Sequence, residues 1–158
     1  MNGELIQIDV PRSALVAAFL EKVARASGDA VNANTPMQDR AALLPPIGGA
    51  LEGGIYAGLT IHENLPMALV LLPGDENLTW SKAKDWAVKQ GGVLPSRMDA
   101  LALWKNLPGE FKKEWYWTSE EYAGNADFAW LQSFDYGGQG NNHKSDGFRC
   151  RAVRRVAI

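Results

Sequence analysis

The side chains of this chain that could carry chemistry are few and dispersed. Histidine occurs at His62 and His143 only, and cysteine at Cys150 only. A zinc site asks for several His, Cys or acidic ligands at short spacing, and no such run is present. A calcium cage needs about 6–8 converging oxygen ligands. The acids Glu120, Glu121, Asp127, Asp135 and Asp146 instead fall in different turns. Cys150 stands between Arg149 and Arg151, a setting that can lower a thiol pKa. Strand neighbours point to opposite faces, however, so the expectation is an inward, inert thiol with both arginines outward. Gly137-Gly138-Gln139-Gly140 lacks the lysine and following helix of a phosphate loop and reads as a turn with positive φ. No Ser-His-Asp, paired-cysteine or metal-ligand set emerges. The expected chemistry is recognition, with no catalysis, cofactor or metal.

The residues suited to recognition lie in the last third, 114–156. There, aromatic runs bracket a stretch of Gly, Asn, Gln, His and Lys. Tyr136, Gln139, Asn141, Asn142 and His143 are expected to be exposed together on one face of a polar loop. The run has no apolar periodicity, and burying its amides would require partners for each. Tyr, Asn, Gln and Ser are the adaptable groups that recognition surfaces favour. The tryptophans could stack on sugars, but large aromatics in a small domain are more often frame. Trp80 and Trp86 are assigned to helix packing, and Trp117 and Trp130 to a strand frame. Arg149, Arg151, Arg154 and Arg155 are read as pairing with carboxylates such as Glu120 and Glu121 to brace the final sheet. The other reading of these arginines is an anion patch.

The elements that must position these groups follow from periodicity and breakers. Residues 4–10 alternate as a short strand. Leu15, Phe19 and Val23 share one helical face after Pro11, and Gly28 ends it. Residues 28–50 are linker-like, which divides the chain into a strand-helix extension, 1–48, and a main domain, 49–158. From Gly53, two strands meet across Glu63-Asn64 as a hairpin. Thr79 can cap a helix ended by Gly91-Gly92, and Ser96 with Asp99 makes a capping-box start for a second helix stopped by Pro108-Gly109. Residues 115–119, 128–134 and 148–156 read as three further strands. Two strands, two helices and then several strands argue for an α+β fold with a twisted antiparallel sheet.

Composition narrows the partners. The 158 residues are 46% hydrophobic and 22% charged, a globular profile, and the net charge of −2 gives no overall pull towards nucleic acid or membrane. No apolar run approaches the roughly 20 residues of a membrane span. The N-terminus has no signal-peptide pattern, so the expectation is a protein that is cytoplasmic as synthesised, or carried on a virion.

Segments 78–87, 91–104, 115–122, 129–134 and 137–155, in this order, resemble a C-type-lectin-like domain of bacterial and phage type. The most specific pieces are Trp117-Thr118-Ser119-Glu120, Ala129-Trp130, Gly138-Gln139-Gly140 and Arg149-Cys150-Arg151-Ala152-Val153-Arg154. The resemblance covers roughly 53–156. Such domains occur in phage tail and tail-fibre-associated proteins, adhesin-like C-terminal domains and retroelement-diversified variable proteins. It implies a scaffold whose ends are joined by the sheet, with a ligand face formed near the C-terminus. On that face would lie Glu121, Tyr122, Asn125, Asp127, Gln132, Ser133, Asp135, Tyr136, Gln139, Asn141, Asn142, His143 and Lys144. The Glu-Pro-Asn and Trp-Asn-Asp tripeptides of calcium-dependent sugar binders are absent, as is the cysteine pair of the oxidases that share the fold. The expected function is a non-enzymatic recognition module, on a tail or an adhesin, binding a host-surface glycan or protein. The N-terminal segment would support a homo-oligomer. The alternative is a structural virion or assembly subunit without its own ligand.

Overall fold

The computed structural model describes residues 43–158. The extension expected over 1–48, with its strand, its helix and any oligomer contact, falls almost wholly outside the described residues. Within them the chain is α+β, with two α-helices and two curled, largely antiparallel sheets. The strands are β1 (Ala50–Leu51), β2 (Gly54–His62), β3 (Leu65–Leu71), β4 (Glu76–Leu78), β5 (Trp115–Glu121), β6 (Phe128–Ser133), β7 (Gln139–His143), β8 (Phe148–Cys150) and β9 (Val153–Ala157). The helices α1 (Trp80–Lys89) and α2 (Arg97–Asn106) lie between β4 and β5 in sequence.

One sheet runs β1-β2-β3-β9 and the other β4-β8-β5-β6-β7. Two sheets, rather than the single one expected, arise where 148–156 breaks. Residues 151–152 leave the ladder, so β8 joins one sheet and β9 the other. The break is anchored. The Arg151 guanidinium donates to the carbonyls of Glu110 (2.6 Å) and Leu72 (3.2 Å), and Leu72 N–H donates to Ala152 O. Arg151 is therefore buried, at 9% exposure, and the outward position expected for it is wrong. Cys150 is buried as expected.

Local signals explain much of the rest. Glu63 and Asn64 both take positive φ, 51° and 63°, the backbone of a two-residue hairpin turn whose twist matches its strands. Ser96 Oγ accepts from Asp99 N–H (3.1 Å), and Asp99 accepts in return from Ser96 N–H (3.0 Å), which closes the capping box. Thr79 stands at the N-cap of α1, but its hydroxyl makes no capping bond.

Two apolar clusters form the core. One gathers Trp117, Leu131, Ala129 and Cys150 with Trp80, Ala83 and Ala87 of α1. The other gathers Tyr116 and Phe134 with Leu103 of α2 and Leu107 just after it. Alternation along β5 sends Trp117 into the first and Tyr116 into the second. Trp117 is fully buried, and its indole N–H donates to Leu78 O (2.9 Å). Trp80, also buried, donates to Thr118 O (2.8 Å). Both indoles are frame, as the sequence suggests.

Between α2 and β9 lies a buried ion pair. Asp99, 1% exposed, accepts from Thr60 Oγ1 (2.7 Å) and from the Arg155 guanidinium. Burial pushes its carboxyl up, but the bonds from Thr60 and Ser96 and the Arg155 charge pull harder, and the net pKa lies below the usual carboxylate value.

Candidate recognition site on the five-stranded sheet

The polar run expected to be a loop is in fact an edge strand. β7 pairs with β6 in antiparallel register: Phe128 with His143, Trp130 with Asn141, Gln132 with Gln139. Alternation then divides its side chains between two faces. Gln139, Asn141 and His143 share one, and Asn142 takes the other. The expected single face is corrected accordingly. Gly137 makes the turn into this strand. Its φ is +83°, and a Cβ there would sit 2.5 Å from the Trp104 ring, so both backbone and space require glycine.

The residues assigned to the ligand face separate into three groups. Gln132 and Ser133 are buried, at 0% and 1% exposure, and face no ligand. The Gln132 amide donates to Ser133 O (2.9 Å) and Gly138 O (3.3 Å), which removes the solvation cost of burying it. Half-buried Gln139 is tied to Gln132 and to Arg97 (2.9 Å).

The second group closes upon itself at the β5–β6 turn. Asn125 Oδ1 accepts from Asp127 N–H (2.9 Å). Lys144 reaches the Ala126 carbonyl, pairs with Glu121 (3.3 Å) and lies over the Trp80 ring. His143 stacks edgewise on Phe128, and its Nδ1 meets Ser145 Oγ at 2.7 Å. That Ser–His contact also takes the Ser145 N–H (3.2 Å), so it acts as a local turn cap. Tyr122 meets Trp130 edge to face at 5.3 Å.

The third group stays open. Asp135, Tyr136 and Asn141 are exposed and Asn142 is half-buried. Tyr136, 64% exposed, stands edge-on to Trp115 at 5.7 Å. Trp115 and Phe148 line two adjoining hollows. One, of about 250 Å³, is completed by Leu131, Gly140, Asn141 and Asn142. The other, of about 370 Å³, is completed by Asn77, Lys113, Glu114, Gly147 and Arg149. They arise because β5 and β8 pair through one residue pair only, Tyr116 with Arg149, and the sheet gapes beside it. Half-buried aromatic faces with amides at their rim match ring C–H groups and hydroxyls at once.

Electrostatics around the hollows is balanced. Arg149 pairs with Glu114 (3.2 Å) and Asp75 (3.4 Å), and the Glu114 bond foremost holds its guanidinium protonated. Tyr116 Oη donates to Asp75 Oδ2 (2.7 Å), and burial together with that bond pushes the phenol upward. Arg154 donates to Gly91 and Glu52 carbonyls, and Arg155 serves Asp99. The C-terminal arginines are braces, as expected, but their partners are Asp75, Glu114, Asp99 and backbone carbonyls rather than Glu120 and Glu121. Burial raises the Cys150 thiol to about 12. No group of three or more His, Cys, Asp or Glu comes together among the described residues in a way that could hold a metal ion.

Sequence reasoning raised Trp115 only with the other tryptophans and left it unassigned, and it did not place Phe148, Asn77 or Arg97 at the site. The spacing of Trp115 and Trp117 did carry a signal: two residues apart on a strand, they share a face. Only the one at the strand end could reach the sheet's opening. Comparison with protein-family models and with curated proteins gives no match.

Proposed function

We propose that this domain is a recognition module that takes a surface glycan at the hollows beside Trp115 and Phe148. The observation that carries the reading is the pairing of two half-buried aromatic rings with Asn142 and Asn77 around the two adjoining hollows of the five-stranded sheet. A sugar ring offers apolar C–H faces to such rings and hydroxyls to such amides. A C-type-lectin-like scaffold is supported by the element order, with both helices between β4 and β5. It is also supported by the last strand, β9, returning to pair with β3. On this reading the module sits on a phage tail or an adhesin and binds its host-surface ligand without turnover. The buried Cys150 thiol and the turn-capping role of His143 favour recognition over catalysis.

A glycan array tests the reading. The wild-type protein should bind a subset of glycans, and Trp115→Leu, which keeps apolar bulk, should lose that subset while keeping its fold. A blank wild-type array, or unchanged binding by Trp115→Leu, would overturn it.

A further inference from the structure

Arg97 differs from every arginine near the sheet's C-terminal strands. Those are engaged by carboxylates or carbonyls. Arg97, at the first turn of α2, commits one side-chain N–H: Nε donates to Gln139 Oε1 at 2.9 Å. Its Nη groups form no hydrogen bond among the described residues. The guanidinium lies over the Trp130 ring with Cζ 3.7 Å from the centroid.

The fork is held from behind. Gln139 Nε2 donates to Arg97 O (2.9 Å) and to Gln132 Oε1 (3.0 Å). Gln132, fully buried, is fixed by the Ser133 and Gly138 carbonyls. A relay of two amides therefore sets the guanidinium plane, and the ring beneath supports its face. Such a fixed fork with unused N–H groups matches a planar anion bidentately and loses little entropy in doing so.

We propose that the Arg97–Trp130 stack is a second binding site, separate from the hollows at Trp115, and that it reads the carboxylate of an acidic sugar, a uronate. The charge balance selects a single negative charge. One guanidinium serves the site, and Glu120 already sits at its edge, accepting the Arg97 backbone N–H at 2.9 Å. A phosphate, carrying about −1.5 to −2, would face that carboxylate with one cation to offset it. The surroundings select a sugar as the carrier. Tyr122 lies edge to face with Trp130, ring centroids 5.3 Å apart, and Asn141 stands directly across from Trp130 in the β6–β7 ladder, supplying an aromatic wall and an amide beside the fork.

Nuclear magnetic resonance of the folded wild-type protein tests the proposal directly. Sodium glucuronate should produce saturable shifts at the Trp130 indole N–H and at Arg97, Gln139 and Tyr122. Glucose should not move these signals, and sodium acetate should move them only at about tenfold or higher concentration. Arg97→Lys keeps the charge and removes the fork, and should weaken glucuronate binding about tenfold or more. Absence of saturable shifts around Arg97 would overturn the proposal. So would shifts confined to Trp115 and Asn142, which would leave the hollows as the sole site. Equal response to acetate would overturn the sugar assignment, and equal affinity in Arg97→Lys would overturn the fork.

Discussion

Two polar turns at opposite ends of the β5–β6–β7 ladder look alike in sequence and differ in what their polar atoms do. At the 121–128 end, Asn125 accepts from the Asp127 backbone N–H, Lys144 pairs with Glu121 and reaches the Ala126 carbonyl, and Lys144 covers Trp80. At the 133–139 end, Tyr136 remains exposed beside the half-buried Trp115. The first turn closes the fold and the second presents it. Composition does not separate the two cases. What separates them is whether a partner lies within reach in three dimensions, and Gly137 and Gly138 leave few side-chain partners at the open end.

The comparison rests on a rigid frame beneath both turns, so the largest expected effect comes from removing it. Trp117→Ala should cost about 3–5 kcal/mol, measured by denaturant unfolding. A loss below about 1 kcal/mol would mean the frame is elsewhere. Next comes the ion pair that fixes α2 to the opposite sheet. Asp99→Ala strands Arg155 and removes the capping box, and should cost roughly 2–3 kcal/mol. The pH dependence has a definite sign. The folded pKa of Asp99 is lowered, so its contribution is complete above the unfolded value of 3.8 and fades as pH falls through the lower folded value. Unfolding midpoints recorded below pH 4 should converge between wild type and Asp99→Ala, and a constant gap would contradict the assignment.

Smaller effects sharpen the contrast between the turns. Lys144→Ala should cost about 1 kcal/mol, because an ion pair, a carbonyl contact and a ring contact go together. Its binding should not change, and lost binding with full stability would place the ligand at the wrong end. Cys150 should stay unmodified by a thiol reagent at neutral pH until the protein unfolds, since burial holds its pKa near 12. Reaction in the folded state would show that β8 opens beside the hollows.

Several of these features were legible in the residues. Ser96 and Asp99 announced a capping box, Glu63-Asn64 a tight hairpin, and Trp117 and Cys150 buried positions, because each depends on neighbours a few positions away or on bulk alone. The α+β class followed from the order of the elements. The edge strand β7 was hidden, because Gly and Asn have weak strand preference and pairing with β6 overrides it. Gln132 and Ser133 read as surface residues because the carbonyls that satisfy Gln132 exist only after the 133–138 turn folds back. The division of 148–156 between two sheets depends on Arg151 finding the Glu110 and Leu72 carbonyls, 41 and 79 positions away. Trp115 was left unassigned and Arg97 was not placed at the site for the same reason: their roles come from the gap in the sheet and from Gln139, not from their own neighbours in sequence.

The most direct measurement sets the residues around the hollows against the closed 121–128 turn in one experiment. Tyr136→Ala, Asn141→Ala and Asn142→Ala combined, and separately Asn125→Ala with Lys144→Ala, would be compared with wild type for thermal stability and for binding to a glycan array and a panel of bacterial cells. The triple variant should stay within about 0.5 kcal/mol of wild type per site and lose binding by tenfold or more. The double variant should lose roughly 1–2 kcal/mol of stability and bind as wild type does. Unchanged binding by the triple variant, or binding lost by the double variant alone, would contradict the account.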